Sequence, residues 1–279
     1  MQRLANSEQA ALWNGPSGQA WADEQSMLDR TYAGIEALLS DAVAAAGARS
    51  VLDIGCGSGA TTLAAARRMP PGGIAVGVDI SEPLVALARR RVQHEPVAAQ
   101  FIRADAQAHA FERGRFDLMI SRFGVMFFED PVAAFGNLLL AAARGCATRL
   151  VVFRSIEENP FMTTAERAAV QFVPNIPPRI PGAPGQFALA DPDRVRRIFE
   201  QAGWSRVEVV PIDVPCAFPA ADLERFFTRF GPLGLALRNA TEVARRDMLQ
   251  AVRIAFEPFV REAQVRFDAA CWMIEARAP

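Results

Sequence analysis

Short apolar runs alternate with longer amphipathic stretches between residues 50 and 155. The runs are four to seven residues long and most are rich in branched or aromatic side chains, which is typical of buried strands. Strands are predicted at 51–54, 74–79, 100–106, 116–121 and 149–153, with helices at 60–69, 84–92 and 131–143. This alternation predicts an α/β fold built on a doubly wound, Rossmann-like sheet.

The segments that flank this region have other patterns. Ser7 is expected to cap a short helix that reaches Trp13, and Ser17 a longer helix that runs to Gly47. After residue 155, helices are predicted at 161–172 and 192–202, and strands at 207–214 and 265–277. Proline and glycine exclude regular structure at 174–185. Two further helices are expected between the last two strands.

A glycine-rich turn joins the first predicted strand to its helix, with the sequence Asp53-x-Gly55-x-Gly57-x-Gly59. Glycine permits a tight turn and the close approach of a ligand, and a helix N-terminus offers free N–H groups. With Ala60, the turn also satisfies the G-x-G-x-x-G/A pattern of dinucleotide sites. The turn alone is therefore compatible with two classes of nucleoside cofactor.

Three predicted strands end in, or next to, an aspartate: Asp53, Asp79 and Asp105. Asp79 lies 20 residues beyond Gly59, the separation at which a carboxylate reaches ribose hydroxyls in doubly wound nucleotide folds. The carboxyl ends of parallel strands meet at one edge of a sheet, where ligands of such folds bind. We therefore expect the three carboxylates to converge on one nucleoside.

Residues 50–155 resemble the class I S-adenosylmethionine-dependent methyltransferases, particularly the small-molecule enzymes of ubiquinone and menaquinone biosynthesis. The resemblance depends on the glycine turn, the following acids and the segment 121–128. It implies seven strands, the first six parallel and the last antiparallel, and S-adenosyl-L-methionine as cofactor, released as S-adenosyl-L-homocysteine. The residues expected to bind the cofactor are Trp21, Asp53, Gly55, Cys56, Gly57, Gly59, Asp79, Ile80, Asp105, Ala106, Ser121 and Phe123.

The resemblance also implies one methyltransferase domain over residues 1–279. Its parts would be N-terminal helices at 1–47, a cofactor-binding core at 48–155, and substrate-cap insertions at 156–190 and 216–263. We expect a mostly apolar substrate wall, although aromatic stripes on helices are also compatible with ordinary core packing. Its expected residues are Trp13, Arg122, Met126, Phe161, Phe172, Phe226 and Phe230. A small hydrophobic or aromatic acceptor, methylated on oxygen, carbon or nitrogen, is therefore predicted.

The sequence provides few candidates for a general base. It contains two histidines and one tyrosine, and of these only His109 and Tyr32 are weak catalytic candidates. Ser121-Arg122-Phe123-Gly124 stands where methyltransferases of nucleobase or glutamine amino groups carry Asn/Asp-Pro-Pro-aromatic, which argues against that activity. No carboxylate cluster for a metal is expected there.

Composition narrows the classes of partner and of function that remain compatible with the sequence. A net charge of −1 disfavours nucleic acid or a membrane as partner. Four widely spaced cysteines without a C-x-x-C pair argue against zinc and disulfides, and with no predicted signal peptide or spanning segment they suggest a cytoplasmic protein. An NAD(P)-dependent oxidoreductase remains the alternative, although Tyr32 has no lysine at Tyr-x-x-x-Lys spacing. A cofactor-binding protein without catalysis is a third possibility.

Overall fold

The computed structural model describes residues 6–170, 172, 179–230, 233, 237 and 240–279. One sheet crosses this part of the chain. Its strands are β1 (Ser50–Ile54), β2 (Ile74–Asp79), β3 (Ala99–Arg103), β4 (Phe116–Arg122), β5 (Ala142–Phe153), β6 (Ser205–Pro219), β7 (Val260–Arg261) and β8 (Gln264–Arg277). Their order is β3-β2-β1-β4-β5-β8-β6, with the two-residue β7 beside β8.

The strand directions agree with the predicted fold class. Strands β1 to β5 pair in parallel, and β8 pairs antiparallel with β5 and with β6. All four residues from Val51 to Ile54 are buried although successive side chains point to opposite faces of a strand, so both faces of the sheet are covered. The prediction of a doubly wound sheet with one antiparallel strand is therefore confirmed.

Helices surround this sheet. They are α1 (Ser7–Asn14), α2 (Pro16–Asp23), α3 (Gln25–Thr31), α4 (Ala33–Ala46), α5 (Ala60–Arg68), α6 (Glu82–Val92), α7 (Pro131–Ala141), α8 (Pro160–Ala169), α9 (Pro192–Gln201), α10 (Leu223–Arg229) and α11 (Glu242–Phe256). Helix α4 packs on α5, α7 packs on α9, and α8 packs on α11. None of the described helices combines the length and the apolar character needed to cross a bilayer.

The N-terminal region differs from the two predicted helices. It forms four, because the chain leaves helical geometry at Gly15 and turns again at Glu24 and Tyr32. Ser7 and Ser17 lie inside helices rather than at N-caps. Pro16 begins α2 instead, since proline lacks only an N–H that the first helical turn leaves unpaired. Gly47 ends α4 with a positive φ, as predicted.

The connection between the last two long strands carries a helical insertion. Strands β6 and β8 form a long antiparallel pair, and α10 and α11 lie in the sequence between them. The side chain of Thr241 accepts a hydrogen bond from the backbone N–H of Ala244 and so caps α11. The proline-rich stretch 174–185 lies partly outside the described residues, and its described part, from 179, contains no helix or strand.

Candidate functional site

The glycine turn after β1 is held from two sides. The backbone N–H groups of Gly55 and Cys56 donate to the carbonyl oxygen of Val78 at 2.8 and 3.1 Å. The N–H of Gly57 donates to Oδ2 of Asp79 at 2.8 Å. A Cβ on Gly55 would stand 2.5 Å from the Cα of Gly124, so only glycine allows this close approach of two backbones.

Asp79 and Asp105 lie together at the carboxyl edge of the sheet. The second carboxylate oxygen of Asp79 accepts the N–H of Ser81 at 2.8 Å. Burial raises the pKa of Asp79 to about 6, and the backbone N–H donors oppose the shift. One oxygen of Asp105 accepts the N–H of Gln107 at 3.0 Å and the side-chain amide of Asn6 at 3.2 Å.

Asp53 lies beneath the turn and is not part of the cleft wall. It is fully buried, and one carboxylate oxygen accepts the hydroxyls of Thr61 and Thr62 at 2.5 and 2.6 Å. Burial raises the pKa of Asp53, while the two hydroxyl donors and Arg122 oppose that shift. Its bonds tie the end of β1 to the first turn of α5. The expectation of three converging carboxylates therefore holds for two.

A cleft opens above these strand ends. Of the twelve predicted cofactor residues, eight line it: Trp21, Gly55, Gly57, Asp79, Ile80, Asp105, Ala106 and Phe123. The other three, Cys56, Gly59 and Ser121, lie outside the wall, as Asp53 does, and each has a packing or hydrogen-bonding role in the fold. Cys56 packs in an apolar cluster, a Cβ on Gly59 would meet Phe101 at 2.7 Å, and the Ser121 hydroxyl donates to the carbonyl of Ile54 at 2.6 Å.

Two polar wall residues escaped the sequence analysis: Asn6, which immediately precedes α1, and Gln9 within that helix. Their spacing relative to Trp13 could have predicted them, because residues three and four positions apart lie on one face of a helix. Asn6 Oδ1 and Gln9 Oε1 are buried without a hydrogen-bond partner among the described residues. An adenosyl group would bring amino and hydroxyl donors to a cleft that retains such unpaired acceptors, so these residues fit S-adenosylmethionine.

A second cavity adjoins the cleft at Trp21, which lines both. Aromatic rings dominate its wall, and three of the predicted substrate residues, Phe161, Phe226 and Phe230, are among them. Trp13 and Arg122 line the cofactor cleft instead. Met126 and Phe172 line neither cavity. Met126 is 1% exposed within the core, and Phe172 packs partly buried against the core.

Neither weak catalytic candidate is placed as a base. His109 lies outside the walls of both cavities and packs edge-on against Phe111, with ring centroids 4.6 Å apart. Tyr32 lines the second cavity, but burial raises its pKa far above the ordinary value. Among the described residues, no group of three or more His, Cys, Asp or Glu side chains is arranged to hold a metal ion.

Comparison with known proteins identifies the domain that contains this cleft. Residues 51–145 match the family model of a methyltransferase domain. The chain is 29% identical over 181 residues to nocamycin O-methyltransferase of Saccharothrix syringae, covering 62% of this chain and 65% of that one. It is 36% identical over 104 residues to demethylmenaquinone methyltransferase of Thermus thermophilus, covering 37% and 46%.

Solved structures agree on the fold. Phosphoethanolamine N-methyltransferase 2 of Haemonchus contortus, in complex with S-adenosyl-L-methionine, superposes with a TM-score of 0.51 at 18% identity, covering 100% of this chain and 58% of that one. The chain spans less than two thirds of the length of each of these three proteins. The domain match and the sheet order together confirm the resemblance of residues 51–145 to the class I S-adenosylmethionine-dependent methyltransferases.

Proposed function

We propose that this protein transfers a methyl group from S-adenosylmethionine to a small hydrophobic or aromatic acceptor. The observation that carries the proposal is the pair of adjoining cavities. The first combines a glycine turn and two strand-end carboxylates, and the second is largely aromatic. A nucleoside cofactor suits the first wall and an apolar acceptor suits the second.

The cofactor supplies the reactive group, a sulfonium methyl that leaves its sulfur as a neutral thioether. The residues of this chain bind and orient. Asp79 would accept the ribose hydroxyls, while Asp105 and the backbone of Ala106 would contact the adenine edge. Trp21, at the junction, and Phe123 would exclude water and present aromatic faces to the sulfonium. Alignment of two bound reactants can contribute about 7–11 kcal/mol, so the proposal requires no protein nucleophile.

Calorimetric titration with S-adenosylhomocysteine and with NAD, side by side, tests the cofactor. We expect binding of S-adenosylhomocysteine alone. Binding of NAD alone would favour the oxidoreductase alternative, since the glycine turn satisfies both patterns. Binding of S-adenosylhomocysteine without methyl transfer to any apolar acceptor would favour a non-catalytic binding protein.

The ribose assignment is tested with Asp79→Ala, which we expect to weaken S-adenosylhomocysteine binding at least tenfold, because hydrogen bonds to charged groups contribute about 1.5–3 kcal/mol. Asp117→Ala is the matched control. The Asp117 carboxylate also accepts two backbone N–H groups, of Arg49 and Ser50, at 2.8 and 3.1 Å, but it lies outside the cleft wall. Equal affinities in both variants would contradict the assignment.

A further inference from the structure

Arg122 is a half-buried cation that has no anionic partner among the described residues. Two other arginines with limited exposure are paired with carboxylates, Arg91 with Asp29 at 2.8 Å and Arg154 with Asp213 at 2.9 Å. Arg122 forms no ion pair with any carboxylate of the described chain, and its Nη1 is buried without a hydrogen-bond partner there. A guanidinium stays protonated and an unpaired buried donor is costly, so this position favours an incoming acceptor of hydrogen bonds.

The position of Arg122 connects the two cavities. The residue ends β4 and lines the cofactor cleft. Its guanidinium carbon lies 5.8 Å from the ring centroid of Tyr32, which lines the second cavity and packs edge-on against Phe123 at 5.3 Å. A molecule in the aromatic cavity that reaches toward the cofactor would therefore meet Arg122 at the boundary.

None of the titratable groups of the described chain forms an ion pair with Arg122. Those close enough for it to influence their pKa include Tyr32, Glu36, Asp53 and Cys216. Burial raises the pKa of each of the four, and Arg122 opposes each shift. None of them forms a hydrogen bond or an ion pair with it. Burial thus weakens the tendency of the surrounding acids to ionise, while the arginine remains charged.

We propose that Arg122 binds the oxyanion of the methyl acceptor, and that the acceptors are aromatic or enolic compounds whose acidic hydroxyl binds as its anion. This inference rests on the proposed function and specifies its substrate class. A charged guanidinium with free N–H groups is the protein group best suited to an oxyanion. The aromatic cavity would hold the remainder of the molecule.

This assignment requires no general base from the wall, in which Glu166 of the aromatic cavity is already paired with Arg179 at 2.6 Å. The acceptor hydroxyl releases its proton to water, and Arg122 stabilises the resulting anion. The anion, through oxygen or its conjugated carbon, then forms the bond to the methyl carbon. The sulfur–methyl bond breaks with its electron pair remaining on sulfur. The negative charge of the acceptor and the positive charge of the sulfonium cancel. Methylation on oxygen moves no further proton, whereas a carbon that accepts the methyl group afterwards loses its own proton to water and the oxygen regains one.

The test uses 4-nitrophenol, whose phenolate absorbs at longer wavelength than the phenol, and its methyl ether 4-nitroanisole, which cannot ionise. Both are titrated into the full chain saturated with S-adenosylhomocysteine. In the wild type we expect the bound phenol to ionise at a lower pH than the free phenol. In Arg122→Gln we expect this shift to vanish and phenolate affinity to fall at least tenfold. Binding of 4-nitroanisole should change less than about twofold, and Arg122→Lys should keep part of the shift.

Three outcomes would overturn the inference. Equal losses for the phenol and its ether would show that Arg122 only shapes the cavity. A loss of S-adenosylhomocysteine affinity in Arg122→Gln, with affinity for 5′-methylthioadenosine retained, would assign the guanidinium to the cofactor carboxylate. If the wild type binds S-adenosylhomocysteine but not 4-nitrophenol, the proposed class of acceptors is rejected and the proposed methyl transfer is not. Failure to bind S-adenosylhomocysteine would instead reject the proposed function. Thermal unfolding of each variant verifies that it is folded.

Discussion

At the scale of single residues, the glycines of the turn serve different purposes. A Cβ on Gly55 or on Gly59 would clash, with Gly124 and with Phe101 respectively. Gly57 has a φ of +53° and lines the cleft, and a Cβ added to it would meet no atom of the described chain within 4 Å. Gly55 and Gly59 are therefore required for packing, whereas Gly57 leaves room for a ligand.

We expect Gly57→Ala to weaken S-adenosylhomocysteine binding at least tenfold, because the new methyl group would occupy cofactor space. Gly114→Ala is the matched control. Gly114 has a similar φ of +64° and equally open surroundings, but it lies outside the cleft wall. Both variants should lose about 1–2 kcal/mol of stability from the left-handed backbone. Chemical denaturation measures the stability of both variants, and calorimetry measures their affinity for S-adenosylhomocysteine. Equal affinities of Gly57→Ala and Gly114→Ala would contradict the role of Gly57.

Asp79 gives the site a defined pH dependence. Its pKa in the folded protein is raised to about 6, so near pH 5 the folded protein holds a proton that the unfolded chain has largely released. This proton stabilises the fold at acidic pH, and the contribution is lost as the pH rises through about 6. In the proposed assignment the ribose hydroxyls would donate to the ionised carboxylate, so cofactor binding would have the opposite preference.

We therefore expect affinity for S-adenosylhomocysteine to rise about tenfold between about pH 5 and pH 7, with release of a proton on binding. Calorimetry in buffers of different ionisation enthalpy measures both effects. Asp79→Asn should bind more weakly at neutral pH and lose this dependence. An unchanged pH profile in that variant would assign the titration to another group, such as Asp53.

At the scale of elements, a buried carboxylate joins the N-terminal helices to the insertion. Glu24, between α2 and α3, has a side chain only 1% exposed. It accepts hydrogen bonds from Nε of Arg225 at 2.9 Å and of Arg229 at 3.3 Å, both on α10. Those arginines are 57% and 43% exposed. The carboxylate therefore bears most of the desolvation cost in this cluster.

Because the carboxylate is buried and the arginines are exposed, replacing the arginines and replacing Glu24 should lower the free energy of unfolding by different amounts. Replacing both arginines by glutamine leaves Glu24 charged and buried without a countercharge, and we expect this to lower the free energy of unfolding. Glu24→Gln removes the buried charge and frees the arginines to water, so its cost should be smaller. Chemical denaturation compares them. A larger loss for Glu24→Gln would contradict this account of the cluster.

At the scale of the whole molecule, the cofactor cleft has a fixed base and an added cover. The base consists of strand ends within the buried core, whereas α1 contains no buried residue. The cover comes from Asn6, Gln9, Trp13 and Trp21. Helices with few buried apolar contacts open at low free-energy cost, and a ligand that contacts them adds stability to the closed form.

We expect S-adenosylhomocysteine to slow hydrogen exchange in α1 and α2 by more than tenfold at saturation, since ligand at about 100 times its Kd stabilises the bound form by about 2.7 kcal/mol. Helix α9 supplies the internal control, because its residues lie outside both cavity walls and pack on α7 and β6. Protection confined to the turn after β1, with α1 and α2 unchanged, would contradict a covering role for these helices.

Local signals in the sequence predict much of the fold and part of the site. The apolar run at 74–79 predicts a strand, and β2 has those bounds. The strand predicted at 149–153 is too short, because β5 begins at Ala142 in a stretch without an apolar pattern. Pairing with β4 and β8 on its two sides makes that stretch a strand, and such neighbours are invisible to periodicity.

The sequence by itself determined where most strands lie along the chain, and it located the glycine turn and the aspartates at the ends of the strands. Periodicity and glycine geometry depend only on neighbours in the chain. Only the tertiary structure decided that Asp53 lies beneath the cleft, that Asn6 reaches Asp105 across 99 positions, and that Glu24 reaches Arg225 across 201. The tertiary structure likewise decided that Arg122 forms no ion pair with a described carboxylate. Burial and charge pairing depend on which distant segments meet, and no local pattern specifies that.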